Sequence, residues 1–435
     1  MADTIKNWES MRQALQLSGA ELRELAQHFR KDAEDALAGK PSSLSALRTY
    51  LGLPTGREMG TFLALDFGGT NVRASRIRLM GEQGFVVESK VAKPLKCADY
   101  DYTSSSTTAE ELFDFIAAIV KEAAEGNQDY KLGFTFSFAV DQTSAKDASL
   151  IAWSKEIAVP GVAGKPINGL LKEALVRAGL DRIEPVALLN DTTATLLSSV
   201  YQHNPSHIGI VCGTGFNMCY YEPALQMIVN LEAAGFDGAP ATVWDRLVDE
   251  ASQQPGDHPF EKMIGGRYLS EVCRAVFGEY LKKAIPEFTT RDMNELISGQ
   301  KTAEAILDLP SVRKNKKGSV LGTGCLCPGS PAHRGGQLRD PQHLAQGKGF
   351  TEQSIAIEGS LVEKIKGVPS LIEDAICIFC MAPTENTRIH VAPNSNGASV
   401  GAAMLRRFVS VNSVHRRSKL SYHRDERRTN DEPPA

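Results

Sequence analysis

Two short glycine-containing segments have the composition of turns that bind anions. One reads Gly-Gly-Thr-Asn at 68–71, and the other reads Gly-Thr-Gly-Phe-Asn at 213–217. Glycine leaves the backbone N–H groups of a turn open to an approaching anion, because no side chain stands in the way. A single turn of this kind is commonly only a turn, but two in similar settings predict a paired phosphate site. Neither matches the Walker A loop or the Gly-x-Gly-x-x-Gly dinucleotide motif.

One carboxylate comes just before the first of these turns. This is Asp66, near the end of a predicted strand. A carboxylate beside phosphates is stable only with a cation between them, so we predict that Asp66 binds Mg²⁺, through water. The alternative is an aspartate that only caps the turn.

A second carboxylate, Asp191, follows Asn190 where a predicted strand, 185–189, gives way to a helix. Ligand clefts open at the carboxyl ends of sheet strands. A carboxylate there can accept the proton of a hydroxyl group that attacks phosphorus. We predict that Asp191 is the general base of a phosphoryl transfer; the alternative is an aspartate that only caps the helix.

The hydrophobic pattern around these residues predicts three strands followed by alternating helices and strands. A capping box at Ser18 and Glu21 begins an N-terminal helix that ends near Leu37, and another at Thr108 and Glu111 begins a later helix. The predicted elements of this unit are strands 61–67, 71–79 and 84–92, the helix after Thr108, strand 131–138, helix 167–179 and strand 184–189. This order indicates a mixed sheet covered by helices.

The same pattern starts again at residue 207. The predicted elements of this second unit are strands 207–212, 216–222, 227–231, 354–357 and 388–392, and a last helix at 398–408. In both units a glycine turn follows the first strand. Repetition of a whole unit predicts an α/β fold of two related lobes, with the two turns facing one central cleft.

Composition and charge exclude several classes of protein. The net charge is −4 and the basic residues are scattered, so we predict no nucleic-acid partner. No run reaches the roughly 18 apolar residues of a membrane span, and residues 1–8 lack the apolar core of a secretion signal, so we expect a cytoplasmic protein. Two cysteine pairs, Cys325-x-Cys327 and Cys377-x-x-Cys380, could be considered as zinc ligands, but the spacing of the first pair is wrong for a zinc knuckle. We therefore expect reduced thiols.

Six runs of residues, in order along the chain, resemble the signatures of the hexokinase family. They are Leu63–Arg73, Leu132–Phe138, Trp153–Lys155, Leu189–Thr192, Gly213–Asn217 and Phe260–Leu269, between about Pro54 and Phe277. The resemblance implies two lobes of the actin-like ATPase superfamily (ribonuclease H-like) that close on a sugar. It also implies an ATP-dependent hexose kinase, with glucose and its 6-hydroxyl group as the expected acceptor, and either a monomer or a dimer.

The resemblance also assigns site residues. The expected sugar-binding residues are Ser137, Phe138, Ser154, Lys155, Asn190, Asp191, Asn217, Glu232 and Glu261. Paired amide and carboxylate groups suit a hexose, because together they satisfy the donors and the acceptors of its hydroxyl groups. Lys155 is expected to act in catalysis beside Asp191, by stabilising charge on the transferred phosphoryl group. The expected residues on the side of ATP and Mg²⁺ are Asp66, Gly68, Gly69, Thr70, Asn71, Gly213, Thr214, Gly215, Gly266, Arg267, Gly397 and Ser399.

The expected organisation has five segments. They are a helical segment at 1–50 that packs on the large lobe, the small lobe at 51–190, the large lobe at 191–396, a C-terminal helix at 397–408 and a disordered tail at 409–435.

The sequence departs from the family at several positions near the expected sugar. Ala139 replaces a proline, Ser154 replaces a threonine but keeps the hydroxyl group, and Ala233-Ala234 replace a Trp-Gly pair. We expect these changes to alter affinity without abolishing the chemistry.

A larger departure runs from Gly318 to Phe350, where the family has a long apolar helix beside the nucleotide. The glycines and prolines of this segment exclude a persistent helix. A divergent loop and a mis-joined exon would both give this composition. The alternative function is therefore a sugar-binding sensor with a defective nucleotide site. An ATPase of the chaperone or filament branch would have no use for the sugar-binding residues.

Overall fold

A computed structural model describes most of the chain. It covers residues 2–82, 84–126, 128–153, 157–202, 206–302, 352–365, 368, 372, 388–393 and 397–404. Several predictions concern residues outside these ranges: Ser154, Lys155, the two cysteine pairs, the segment from Gly318 to Phe350, the end of the helix predicted at 398–408 and the tail at 409–435.

The described strands form two mixed sheets and one small hairpin. In chain order they are β1 (Leu47–Arg48), β2 (Met59–Phe67), β3 (Asn71–Gly81), β4 (Gly84–Pro94), β5 (Tyr130–Phe136), β6 (Val140–Gln142), β7 (Ala148–Leu150), β8 (Ile183–Leu189), β9 (Ser206–Cys212), β10 (Phe216–Glu222), β11 (Met227–Asn230), β12 (Glu352–Glu358) and β13 (Arg388–Pro393). The first sheet has the order β4-β3-β2-β5-β8, the second has the order β1-β11-β10-β9-β12-β13, and β6 pairs with β7.

The two sheets repeat one topology. In the first sheet β2, β3 and β4 are antiparallel neighbours, and β5 and β8 continue from β2 in parallel. In the second sheet β9, β10 and β11 are antiparallel neighbours, and β12 and β13 continue from β9 in parallel. The predicted repeat of two units is therefore confirmed, and each glycine turn joins the first two strands of its repeat; β1 is an additional strand beside β11.

Helices precede, connect and follow these strands. Those that the structure describes are α1 (Ala2–Ala14), α2 (Gly19–Leu37), α3 (Ala109–Ala123), α4 (Ile167–Arg177), α5 (Asp191–Tyr201), α6 (Val243–Glu250), α7 (Pro259–Ile264), α8 (Gly266–Leu281), α9 (Thr290–Ile297), α10 (Ser360–Lys364) and α11 (Gly397–Ala403). Both predicted capping boxes are confirmed, at Ser18 for α2 and at Thr108 for α3. Within the described ranges, no helix combines the length and the apolar composition that crossing a membrane requires.

Helices α5 and α11 hold equivalent positions in the repeat and lie against each other. Each follows the last strand of its sheet, β8 or β13. Their backbones touch, because a Cβ atom placed on Gly401 of α11 would lie 2.1 Å from the carbonyl oxygen of Ala194 on α5. Both contribute to a buried cluster that also takes side chains from β2 and β3 of the first sheet and from β10 and β11 of the second. The two helices thus form the layer where the sheets meet.

The N-terminal helix α2 packs against the second sheet. Its Phe29 ring meets Phe236 edge-on, with 4.9 Å between ring centroids. Leu25 and Ala33, on the same face of α2, pack on the cluster that contains Val229 of β11. These contacts are compatible with the segment expected at 1–50, but the five segment boundaries stay a prediction.

Some elements differ from the sequence-based expectation. The strand predicted at 131–138 ends at Phe136, and the helix predicted at 167–179 ends at Arg177 because Gly179 adopts a left-handed φ of 74°. The hairpin of β6 and β7, strand β1, helix α1 and helices α6 to α9 were not assigned individual bounds from the sequence. The short elements among them, such as β1 with two residues and β6 and β7 with three each, give weak periodic patterns.

Candidate active site

Asn190 and Asp191 at the start of α5 bear on whether Asp191 is a general base or only a helix cap. Asn190 is the N-cap, and its Oδ1 atom accepts hydrogen bonds from the Thr192 backbone N–H at 3.0 Å and from the Thr192 hydroxyl group at 2.9 Å. Asp191 is the first residue of the helix, and its Oδ1 atom accepts from the same backbone N–H at 2.8 Å. Asn190 therefore holds the N-cap position, and Asp191 accepts from the same N–H from within the first turn of the helix.

A network of amide and carboxylate groups joins the two sheets beside Asp191. The Nδ2 atom of Asn217 donates to Oδ1 of Asn190 at 3.3 Å and to Oδ1 of Asn230 at 3.0 Å. The Oδ1 atom of Asn217 accepts from the backbone N–H of Ala233 at 3.0 Å. Asn230 in turn donates to Oε1 of Glu232 at 2.6 Å. Three predicted sugar-binding residues, Asn190, Asn217 and Glu232, are thus connected.

Asn230 links Asn217 to Glu232, and the sequence analysis missed it. It is the last residue of β11 and is only 4% exposed. A signal was present, because an amide on a predicted strand, two residues before a predicted site carboxylate, lies where the two side chains can meet. Glu232 itself has φ 47° and ψ 51°, a left-handed conformation that is uncommon for residues other than glycine. Such backbone strain is concentrated at functional sites.

Glu261 reaches the second glycine turn from helix α7. Its Oε2 atom accepts a hydrogen bond from the backbone N–H of Phe216 at 2.8 Å. A Cβ atom on Gly215 would lie 2.3 Å from the same oxygen, so a side chain there would displace the Glu261 carboxylate from this position. Helix α7 is anchored by the buried Lys262, whose Nζ atom lies 2.5 Å from Oδ1 of Asp249. The absent side chain of Gly215 therefore makes room for the carboxylate of Glu261.

The first glycine turn is partly exposed, with Thr70 exposed and Gly68, Gly69 and Asn71 half-buried. The backbone N–H of Gly68 donates to the carbonyl of Asn71 at 3.2 Å, and the Asn71 amide donates to the Thr70 hydroxyl group at 3.0 Å. A Cβ atom on Gly68 would find its nearest neighbour at 3.8 Å, which is an ordinary contact. Neighbouring atoms therefore do not require glycine at position 68. In the described part of the chain, no acceptor is paired with the N–H groups of Gly69 and Thr70.

The second glycine turn is held more tightly, by the start of helix α8. The backbone N–H of Gly266 donates to the Gly213 carbonyl at 2.8 Å, and that of Arg267 donates to the Thr214 carbonyl at 3.0 Å. The turn thus occupies two of the N–H groups that open α8. Thr214 itself is exposed.

The turn after β12 completes this region. Gly359 has φ 133°, and a Cβ atom there would lie 2.2 Å from the Cys212 carbonyl oxygen, immediately before the second glycine turn. A side chain at position 359 is excluded for both reasons.

Asp66 and Glu358 are carboxylates at the carboxyl ends of strands β2 and β12. Asp66 is buried, and its Oδ2 atom accepts a hydrogen bond from the guanidinium group of Arg73 at 2.8 Å. Glu358, which the sequence analysis did not assign, accepts from the Thr195 hydroxyl group at 2.9 Å. Burial raises the pKa of Glu358 to about 7, and the negative charges of Asp66 and Asp191 add to this rise, while the Thr195 hydrogen bond opposes it. The three carboxylates therefore share one region of negative potential.

The remaining predicted residues lie around this region. Ser137 is buried, and its backbone N–H donates to the Phe67 carbonyl at 3.3 Å. The Phe138 ring packs on Phe67, Phe136 and Trp153, so its side chain lies in an aromatic cluster. Gly397 and Ser399 lie in the first turn of helix α11.

Comparison with known proteins connects this geometry to one family. Residues 7–201 match a family model described as hexokinase, and residues 207–304 match a second model of the same description. The chloroplastic hexokinase-4 of Oryza sativa subsp. japonica is 32% identical over 419 residues, which cover 85% of this chain and 81% of that protein. Hexokinase-1 of Schizosaccharomyces pombe is 35% identical over 280 residues, which cover 59% of this chain and 56% of that protein.

Solved structures show the same fold. A crystal structure of a hexokinase has a TM-score of 0.74 and 25% identity, with 94% of this chain and all of that chain (100%) covered. The hexokinase of Schistosoma mansoni complexed with glucose has a TM-score of 0.69 and 22% identity, with 94% of this chain and 99% of that chain covered. The predicted α/β fold of two actin-like ATPase lobes is confirmed. The chain belongs to the hexokinase family, and it is a hexose kinase, a phosphotransferase with an alcohol group as acceptor.

Proposed function

We propose that this chain transfers the γ-phosphoryl group of ATP to the 6-hydroxyl group of glucose. The observation that carries the proposal is the network of Asn190, Asn217, Asn230 and Glu232 beside Asp191. Amide groups both donate and accept, and carboxylates accept, so the network suits a ring of hydroxyl groups. Glu261 extends the same polar surface from helix α7.

Asp191 would act as the general base. Its carboxylate stands at the carboxyl end of β8, next to the proposed sugar residue Asn190. A carboxylate in this position accepts the proton of the attacking hydroxyl group as the oxygen–phosphorus bond forms, and the phosphoryl group leaves the β-phosphate of ATP. Lys155, which lies outside the described residues, is proposed to stabilise charge on the phosphoryl group.

The first glycine turn would receive phosphate oxygens. Its open N–H groups at Gly69 and Thr70, and the exposed Thr70 hydroxyl group, are the donors that a phosphate needs. The exposed Thr214 of the second turn is proposed to act opposite it. Gly397 and Ser399, at the start of α11, are proposed to lie near the adenosine.

The carboxylates suit Mg²⁺. Asp66, Asp191 and Glu358 supply hard oxygen donors. Burial is the main cause of the raised pKa of Glu358, and the negative charges of Asp66 and Asp191 add to it. A divalent cation would reduce the repulsion among these negative charges, and Asp66 is the residue proposed to hold it, through water. When bound, the ion would offset the negative charge of the ATP phosphates.

Two lobes are proposed to share the sugar, with the small lobe at 51–190 and the large lobe at 191–396. Asn190 ends the last strand of the first sheet, whereas Asn217 and Asn230 belong to the second sheet. A cytoplasmic location is also proposed. A sensor that binds sugar but has a defective nucleotide site is the alternative, which the composition of 318–350 favours.

The test separates sugar binding from phosphoryl transfer. Isothermal titration of the full chain with glucose and, separately, with Mg²⁺ and ATP measures the two affinities. Glucose 6-phosphate is detected by ³¹P NMR after incubation with all three. Glucose 6-phosphate formation supports the proposal. Glucose binding without ATP binding or product would establish the sensor, and the absence of glucose binding would overturn the choice of glucose.

A further inference from the structure

Glu358 lies where strand β12 meets helices α5 and α11. It ends strand β12 of the second sheet, and its Oε2 atom accepts the hydrogen bond from the Thr195 hydroxyl group of α5 at 2.9 Å. A Cβ atom on Gly397, the first residue of α11, would lie 2.2 Å from the same oxygen. The carboxyl group of Glu358 is therefore enclosed by α5 and α11.

The contact on α5 is one helical turn from the proposed base. Thr195 follows Asp191 by four residues, so both side chains lie on the same face of the helix. Thr195 is fully buried, with 0% exposure, whereas Asp191 is partly exposed. A hydrogen bond at Thr195 therefore restrains the rotation of α5 one turn away from the partly exposed carboxylate of Asp191.

The contact on α11 continues to the first sheet. The carbonyl oxygen of Ala398, next to Gly397, accepts a hydrogen bond from the Thr135 hydroxyl group of β5 at 3.0 Å. A chain of contacts thus leads from the second sheet, through Glu358 and α11, to the first sheet.

We propose that Glu358 is a positioning residue for phosphoryl transfer, which holds Asp191 in place through its hydrogen bond with Thr195. The proposal rests on the assignment of Asp191 as the base. A displacement of the base by a fraction of an ångström is costly, since proton transfer needs hydrogen-bond distance at the moment of reaction. Glu358 acts through Thr195, and no contact of Glu358 with substrate is required.

The structure offers matched variants for the test. Thr195→Val removes the donor and keeps the shape, and Glu358→Leu removes the acceptor. Glu358→Gln keeps an oxygen that can accept from Thr195. Thr193→Val is the control, because Thr193 is buried on the same helix and its hydroxyl group has no hydrogen-bond partner among the described residues.

The first measurement is kcat and the hexose KM for each variant, with thermal unfolding to establish that each is folded. We expect Thr195→Val and Glu358→Leu each to lower kcat by about 10-fold or more, with less than about a 3-fold change in hexose KM. The double variant should be no worse than the more severe single variant, because both remove one interaction. Glu358→Gln should restore kcat to within about 3-fold of the unsubstituted chain.

Values of kcat within about 2-fold of the Thr193→Val control, for both single variants, would overturn the proposal. So would a Glu358→Gln variant as impaired as Glu358→Leu, because a charge rather than the hydrogen bond would then be essential. An unsubstituted chain without kinase activity contradicts the proposed function instead.

A second measurement is independent of activity. Hydrogen–deuterium exchange of the backbone amides at 192–196 should quicken by about 10-fold in Thr195→Val and Glu358→Leu, but not in Thr193→Val. Unchanged exchange in both variants shows that Glu358 does not hold the start of α5, whatever the activity.

Discussion

The side chain of Asn217 lies 3.3 Å from that of Asn190, with Nδ2 of the first donating to Oδ1 of the second. Asn217 belongs to β10 of the second sheet, and Asn190 directly follows β8 of the first. The bond therefore crosses between the two halves of the repeat at the point where the helix carrying Asp191 begins. A sugar bound there would contact both halves, which leads to the following predictions.

Replacement of the proposed base should separate catalysis from binding. We expect Asp191→Ala to lower kcat by ~10²-fold or more, because no other group at that position can take the hydroxyl proton. Glucose binding, measured by isothermal titration, should survive within about 10-fold. Asp129→Ala, at an exposed carboxylate just before β5, is the control. Near-normal turnover of Asp191→Ala would exclude this residue as the base.

Loss of the linking amide should weaken sugar binding selectively. Asn230→Leu removes the bonds to Asn217 and Glu232 and leaves their polar atoms without these partners. Each lost bond of this kind costs about 1–3 kcal/mol. We therefore expect the hexose KM to rise by about 10-fold or more, with an ATP KM within about 2-fold of normal. Steady-state kinetics with each substrate varied in turn measures both, and an equal rise in the two KM values would contradict the role of Asn230.

The two glycine turns should respond differently to an added methyl group. Gly215→Ala would place a Cβ atom 2.3 Å from the Glu261 carboxylate, so we expect a higher hexose KM. Gly68→Ala meets only ordinary contacts at 3.8 Å, so the fold should tolerate it. Its methyl group would instead obstruct a phosphate, and we expect a higher ATP KM. The reverse pattern in the kinetics would mean that the turns have exchanged roles.

The pH dependence of stability should report the carboxylate of Glu358. Its pKa is raised to about 7 in the folded chain, by burial and then by the charges of Asp66, Asp191 and Glu363. A raised pKa means that the folded state favours the protonated form. The stabilising contribution is thus complete below the ordinary glutamate pKa and is lost as the pH rises through about 7.

Urea-induced unfolding at pH 5 and pH 8 measures this effect. Relative to Glu358→Gln, which cannot ionise, the unsubstituted chain should lose on the order of 3 kcal/mol of unfolding free energy between the two pH values. All other titratable groups are common to the two proteins, so their contributions to the pH dependence of the unfolding free energy cancel to first order when the two are subtracted. Parallel pH dependences of the two proteins would show that Glu358 ionises normally.

The repeated fold could be predicted from the sequence because it is encoded locally. Capping boxes at Ser18 and Thr108 and the strand patterns around each glycine turn depend on neighbours in sequence. The residues that the prediction missed depend on neighbours in space. Asn230 is recognisable only when Asn217 and Glu232 lie beside it, and Glu358 only when Thr195 and Gly397 enclose it.

Gly215 illustrates a different limit of sequence interpretation. From the sequence, the glycine in a Gly-Thr-Gly turn is interpreted as leaving space for a phosphate. In the structure the space beside it is filled by a carboxylate from a helix more than forty residues later in the chain. Composition reveals that a position must be small, but only the tertiary contacts reveal which group approaches it.

The direct contact between Gly401 and Ala194 also limits how the two sheets can move relative to each other. Helices separated by long side chains can slide as those side chains change rotamer, but two touching backbones have no such compliance. We therefore expect the crossing point of α5 and α11 to act as a pivot, about which the two sheets rotate rather than slide. We expect the start of α5 to move little if the two halves open and close.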